Sequence, residues 1–209
     1  MKKTLLILSI ALVATSLSAS PSWIGIQSTG SYQQVTTTFT FGSWNINEDH
    51  TAKLTGMNVA GTIYPGNAPV GIGFQIGSSK TVEATRGSAD VDTSNYPLKG
   101  NGGVTAVYRT DLSKKSALEL GGGLLFERMT QTSEIGGSDL ITTLDITSFL
   151  TTADVVFSLG EYLTFVAGLG LSLPLNSKAT FTSGGISYTK RIEVTGHTLN
   201  AKVGIALGF

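Results

Sequence analysis

Along most of this chain apolar residues return at every second position. Val70, Ile72, Phe74 and Ile76 alternate with Gly71, Gly73 and Gln75. Leu163, Phe165, Ala167, Leu169, Leu171 and Leu173 alternate with Thr164, Val166, Gly168, Gly170 and Ser172. Leu199, Ala201, Val203, Ile205, Leu207 and Phe209 alternate with Asn200, Lys202, Gly204, Ala206 and Gly208. A period of two is the signature of a strand with two unlike faces. The last two runs span about 11 residues, the length a tilted strand needs to cross a bilayer. The second face is mostly Gly, Ala, Ser and Thr with a few charges, which suits the interior of a narrow barrel.

Turn chemistry sets the strand count. Pro65-Gly66-Asn67-Ala68, Asp111-Leu112-Ser113-Lys114-Lys115 and Gly160-Glu161 are compact breaks between apolar strand ends, and together with the two termini they mark one end of the molecule. Midway between them lie Gly42-Ser43-Trp44-Asn45, Gly87-Ser88-Ala89-Asp90, Gly136-Gly137 and Gly184-Gly185, all glycine-containing turn sequences. The spacing predicts an all-β fold: an eight-stranded antiparallel up-and-down transmembrane β-barrel, with strands of about 16 to 20 residues that project beyond the membrane. Toward the far tips both faces become polar, as in Thr36-Thr37-Thr38, Glu83-Ala84-Thr85-Arg86 and Thr142-Thr143. Trp23, Tyr64, Tyr108, Tyr162 and Phe209 fall at strand ends beside the short turns, where an interfacial aromatic girdle belongs.

Composition narrows the function classes. At 209 residues the chain holds one domain or one barrel, and its charged fraction of 13% is about half that of a soluble domain. A formal net charge of zero offers no basic face for nucleic acid. Cysteine is absent, which removes disulfides, thiolate metal sites, cysteine nucleophiles and a lipid-modified N-terminal cysteine; two histidines are too few for an all-histidine metal site. Lys2 and Lys3 followed by apolar Leu5–Val13 and small residues through Ser20 have the layout of a secretory signal peptide, too short to span a bilayer as a helix. The expected division is a signal peptide over 1–20 and the barrel domain over 21–209. No cofactor, metal or nucleic-acid partner is expected.

The C-terminus carries a motif. Lys202, Gly204, Leu207 and Phe209 occupy the polar, glycine, hydrophobic and terminal aromatic places that close outer-membrane barrels, with Leu207 standing where an aromatic is preferred. The chain thus resembles the small outer-membrane barrels of the OmpX, OmpW and OmpA-transmembrane type. The resemblance covers the mature chain in architecture and its last eight residues as a motif. It implies residence in the cell outer membrane as a monomer. The implied partners are outer-membrane lipids, the outer-membrane assembly machinery that reads the terminal signal, and an extracellular ligand or host surface.

Alternation places Arg109, Glu119, Glu127, Asp154 and Lys202 inside the barrel, where an interior just wide enough for side chains lets them form a salt-bridged plug. Lys202 is expected to meet Glu119 or Asp154. Enzymatic readings are weak. Gly71, Gly73 and Gly77, or Gly121 to Gly123, lack the strand-to-helix setting of a phosphate loop. His197 with Ser177 on the adjacent strand, and Glu193 nearby, resembles the His and Ser of barrels that hydrolyse lipid A, without a clearly placed acidic partner. The leading function is therefore a non-enzymatic, surface-exposed structural or adhesin-like interaction barrel. The alternative is a passive porin-like or OmpW-like channel for small or hydrophobic solutes, and a lipid-modifying enzyme ranks third.

Overall fold

A computed structural model of the protein describes residues 22–41, 44–66, 68–93, 96–135 and 138–209. The expected signal peptide over 1–20, the tips at Gly42-Ser43 and Gly136-Gly137, and Asn67 lie outside the described residues. The strands are β1 (Trp23–Phe41), β2 (Trp44–Ile63), β3 (Val70–Arg86), β4 (Ala89–Asp90), β5 (Lys99–Ser113), β6 (Ser116–Ile135), β7 (Ser138–Ser158), β8 (Leu163–Ser183) and β9 (Ile186–Gly208). All pairings are antiparallel, and all join chain neighbours except β3 with β5 and β1 with β9. Eight strands thus form a ring, and β4 is a two-residue ladder on the tip of β3. The ring is sealed where Ser22 and Phe209 exchange two backbone hydrogen bonds of 2.9 Å. A closed ring leaves few backbone groups without a partner, which is what lets strands cross hydrocarbon.

The short turns and both termini share one end, called lower here, and the long hairpin tips form the upper end. Gly87, Gly184 and Gly185 adopt positive φ at two of the expected upper turns. The second hairpin differs from the expected simple return. After Gly87 only Ala89 and Asp90 pair back onto Arg86 and Thr85, and β5 does not begin until Lys99, opposite Met129. Above that level β6 pairs only with β7 among the described residues, so the wall is notched between β3 and β6.

The outer wall divides into two zones. In the lower half Ile26, Val59, Ile72, Ile76, Val104, Leu124, Phe149, Leu169, Val203 and Ile205 face outward; Ile76 and Leu169 are 64% and 66% exposed. An apolar belt around the whole circumference is a lipid-facing surface, far beyond what a water-soluble monomer exposes. In the upper half the outward residues join in polar cross-strand pairs: Thr36 to Asp49 at 2.7 Å, Thr38 to Asn47 at 3.0 Å, Thr130 with Thr143 at 3.2 Å and Thr180 with Thr189 at 2.9 Å.

Both faces do not become polar there, contrary to the sequence expectation. The upper interior holds Ala179, Ile192 and Val194, packed against Val35, Phe39, Leu144 and Phe181. Strict alternation fails because β-bulges reset the phase near Val82 on β3 and Leu175 on β8. On β8 Leu173 and Leu175 face lipid, whereas Ser177 and Ala179 point inward.

Candidate functional site: the barrel interior

One register row crosses six strands near the lower end: Arg109, Glu119, Asp154, Gly168, Lys202 and Thr29 on β5, β6, β7, β8, β9 and β1. All lie on the inward phase of their strands, so the charges must satisfy one another or neighbouring dipoles. Glu119 is the most deeply buried, at 1% exposure. It accepts from the Arg109 guanidinium at 3.3 Å, from Trp23 Nε1 at 3.1 and 3.2 Å, and from Thr62 Oγ1 at 3.1 Å. Arg109 also donates to Asp111 at 3.2 Å and lies 5.8 Å from the centre of the Tyr64 ring. Lys202 Nζ lies 2.8 Å from Asp154, the second of the two partners its position suggested. Between them Gly168 contributes no side chain, and a Cβ there would stand 1.8 Å from Asp154 Oδ1. That glycine is what allows the pair to close across β8.

Glu127, the fifth expected interior charge, lies higher and apart from this row. Its partner is Lys99, 2.7 Å away, with both side chains about nine-tenths buried. Lys99 escaped the sequence reading although, ten residues earlier on β5, it shares the inward phase of Arg109. Between the two ionic layers lies a polar chamber of about 50 Å³ lined by Thr29, Ser31, Asn58, Gln75, Asn101 and Asn200. Above the Lys99–Glu127 pair is a cavity of about 200 Å³ whose wall includes Val35, Leu54, Met129, Leu144 and Ile146, with Tyr96 from the β4–β5 connection.

The aromatic girdle needs correction. Tyr108 and Tyr162 are exposed at the lower margin, and Phe209 is partly buried at the same end. Trp23 and Tyr64 instead turn into the barrel, at 3% and 0% exposure. Their position at strand ends suggested an interface, but their phase decides. Ile24 and Ile26 face outward on β1, so Trp23 faces inward and packs with Ala60, Val156, Val166 and Ala206. Of the terminal motif, Leu207 faces outward in the belt, Lys202 inward in the ionic row, and Gly204 lets the β1 backbone approach closely.

Ser177 and His197 are not brought together. Ser177 is buried, pairs with Ile192 and donates to its carbonyl at 2.9 Å, five residues along β9 from His197. Gly71, Gly73, Gly121 and Gly123 are strand positions packed against neighbouring walls.

The closed antiparallel ring, its apolar belt and its lumen of paired charged side chains define a small transmembrane β-barrel of the outer-membrane type. Solved structures agree on the fold. OprG, an outer membrane protein from Pseudomonas aeruginosa, superposes with a TM-score of 0.61 at 11% identity, over 92% of this chain and 97% of that one. A major outer membrane protein from Thermus thermophilus gives 0.59 at 10% identity, over 91% and 100%. Neisserial surface protein A gives 0.55 at 14% identity, over 89% and 97%. No family model matches the sequence, and no curated protein matches it.

Proposed function

We propose that the protein is a non-enzymatic structural and interaction barrel of the outer membrane, which holds its projecting sheet outside the cell for an extracellular ligand or a host surface. The observation that carries this reading is the lower ionic row. Glu119, Arg109, Asp154 and Lys202, backed by Trp23 and Tyr64, are buried side chains paired with one another in the lumen, which supports a plugged rather than an open interior. The upper sheet supplies the interaction surface. Its outer face is a ladder of threonine pairs, and β6 above Met129 keeps one backbone edge without a strand partner among the described residues, a site for strand addition. Refolded protein in a planar bilayer is expected to be electrically silent. Discrete channel openings would overturn the reading in favour of a pore.

A second reading draws on the upper cavity. Its apolar wall favours capture of a small hydrophobic solute rather than ion conduction. An apolar fluorescent probe should then bind the folded barrel and lose affinity in Leu144→Lys. For biogenesis, Lys202, Gly204, Leu207 and Phe209 serve as the assembly signal. Deleting Phe209 should lower the amount reaching the outer membrane more than it lowers in vitro stability, although it removes a partly buried ring worth at most roughly 1.5–3 kcal/mol and the two backbone hydrogen bonds to Ser22.

A further inference from the structure

The upper margin of the belt is not uniformly polar. On three adjacent strands Arg128, Asp145 and Lys178 stand side by side in one register row on the outer face, and Arg191 on β9 continues it. Each of the first three lies above an exposed apolar residue of the belt on its own strand: Phe126 on β6, Phe149 on β7, with Thr147 between, and Leu175 on β8. Arg128 donates to both carboxylate oxygens of Asp145, at 2.6 and 3.2 Å, and Lys178 Nζ lies 3.6 Å from the same carboxylate. One carboxylate therefore organises two cations and neutralises only one. The Arg128 and Lys178 side chains remain 68% and 55% exposed. Arg191 adds a further positive charge, and Glu193, exposed two residues along β9, offsets it. Asp145 uses two of the five guanidinium N–H groups and draws one side of the Lys178 ammonium, so three donors of Arg128 and the remaining ones of Lys178 stay available to an anion.

Directly beside the cations a shallow trench runs over the outer wall. Its floor is the backbone at Gly100, its walls are Ile76 and Phe126, and Arg128, Asp145 and Lys178 close its upper end. Gly102, the next outward residue of β5, continues the floor, and an added Cβ there would approach nothing nearer than the Gln75 carbonyl oxygen, at 3.9 Å. An apolar trench in a lipid-facing wall, capped by excess positive charge at the level where hydrocarbon ends, is complementary to one kind of molecule. We infer that Arg128 and Lys178, pre-positioned by Asp145, bind the phosphate of a phosphorylated lipid of the surrounding leaflet, with an acyl chain lying over Gly100 and Gly102 between Ile76 and Phe126. Arginine and lysine at a membrane surface attract anionic headgroups, and the guanidinium fork suits a phosphate.

The inference rests on the membrane-barrel reading, and the experiment separates the two. The mature chain is reconstituted into phosphatidylcholine nanodiscs containing a few per cent of bis-phosphorylated lipid A, and released into mild detergent for native mass spectrometry. Wild type should retain lipid A far above phosphatidylcholine. Arg128→Gln with Lys178→Gln should retain about 25-fold less, at about five-fold per cation. Gly102→Leu, which fills the trench and keeps the charges, should also retain less. A heat-modifiable gel shift in each sample reports insertion. Equal lipid A retention by inserted wild type and the charge variant would overturn the inference, as would equal retention of lipid A stripped of its phosphates. Failure of wild type itself to insert would overturn the barrel reading instead.

Discussion

The lower and upper halves of this barrel are built from the same strands with their faces exchanged. Below the Lys99–Glu127 pair the outside is Ile, Leu, Val and Phe, and the inside carries Glu119, Arg109, Asp154 and Lys202. Above it the outside is a threonine ladder, and the inside is Val35, Leu144, Ile192 and Val194. The solvent explains the exchange. Hydrocarbon accepts the apolar belt without cost, which leaves the narrow lumen for polar groups that satisfy one another. Water above the membrane restores the ordinary arrangement, with apolar residues inside. The bulges at Val82 and Leu175 are where β3 and β8 change phase. On β1, β7 and β9 the inward phase is unbroken, and the exchange is made by the residue types placed on it.

The comparison breaks most severely at the lower ionic row. Lys202→Ala leaves Asp154 buried beside Gly168 with no cation, and removing one partner of a buried pair typically costs about 3–5 kcal/mol. Lys202→Ala combined with Asp154→Asn should cost clearly less than the sum of the single changes in urea unfolding from detergent micelles. Strict additivity would show that the two side chains do not act as a pair. Next in size is the belt. Leu169, midway along the lipid-facing run of β8, should not tolerate charge: Leu169→Arg is expected to cost about 2–4 kcal/mol in the same assay.

Much of this division is visible in the sequence. Period-two alternation identifies the belt on β3, β8 and β9, and the same alternation turns Arg109, Glu119, Asp154 and Lys202 into one lumen. It equally turns Trp23, Tyr64 and Lys99 inward; the two aromatics were lost because aromatic residues at strand ends suggest a girdle, and Lys99 because it stands at the start of β5, where the alternation is short of apolar residues. Of the two bulges only the one on β8 leaves a mark: Pro174, which has no N–H for a central ladder, points to a bulge beside it, although it does not fix the residue where the phase changes. Nothing comparable stands near Val82 on β3. The bulge hides only the β8 members of the upper apolar cluster, Ala179 and Phe181. Leu144, Ile192, Val194, Val35 and Phe39 keep the inward phase of their strands and read as scattered residues because polar residues surround them in the sequence. The role of Gly168 is a matter of cross-strand geometry, which composition does not contain.

Gly168 sharpens the lower half at smaller cost. A methyl group at this position occupies the space of Asp154 Oδ1, so Gly168→Ala must push the carboxylate away from Lys202 or bend β8. Overpacking of this kind costs about 1–3 kcal/mol. The effect should shrink when Lys202→Ala is already present, because the geometry it disturbs no longer holds a pair. An undiminished loss in that background would mean that the glycine serves the strand backbone rather than the ions.

The smallest expected effect tests where the belt stops. Thr189 lies on the outward face of β9 above the belt and is exposed, with its hydroxyl 2.9 Å from that of Thr180 on β8. If water surrounds this part of the sheet, Thr189→Arg removes one exposed hydrogen bond and adds a solvated cation, a change of about 0.5 kcal/mol. The same side chain introduced at Leu169, on the same hairpin, is expected to cost several times more, because there the guanidinium must be held in hydrocarbon or reach out of it. The ratio between the two substitutions, measured in lipid bilayers rather than micelles, reads the boundary directly. Equal costs of about 2–4 kcal/mol at both sites would place the threonine ladder inside the membrane and remove the basis for an exchange of faces.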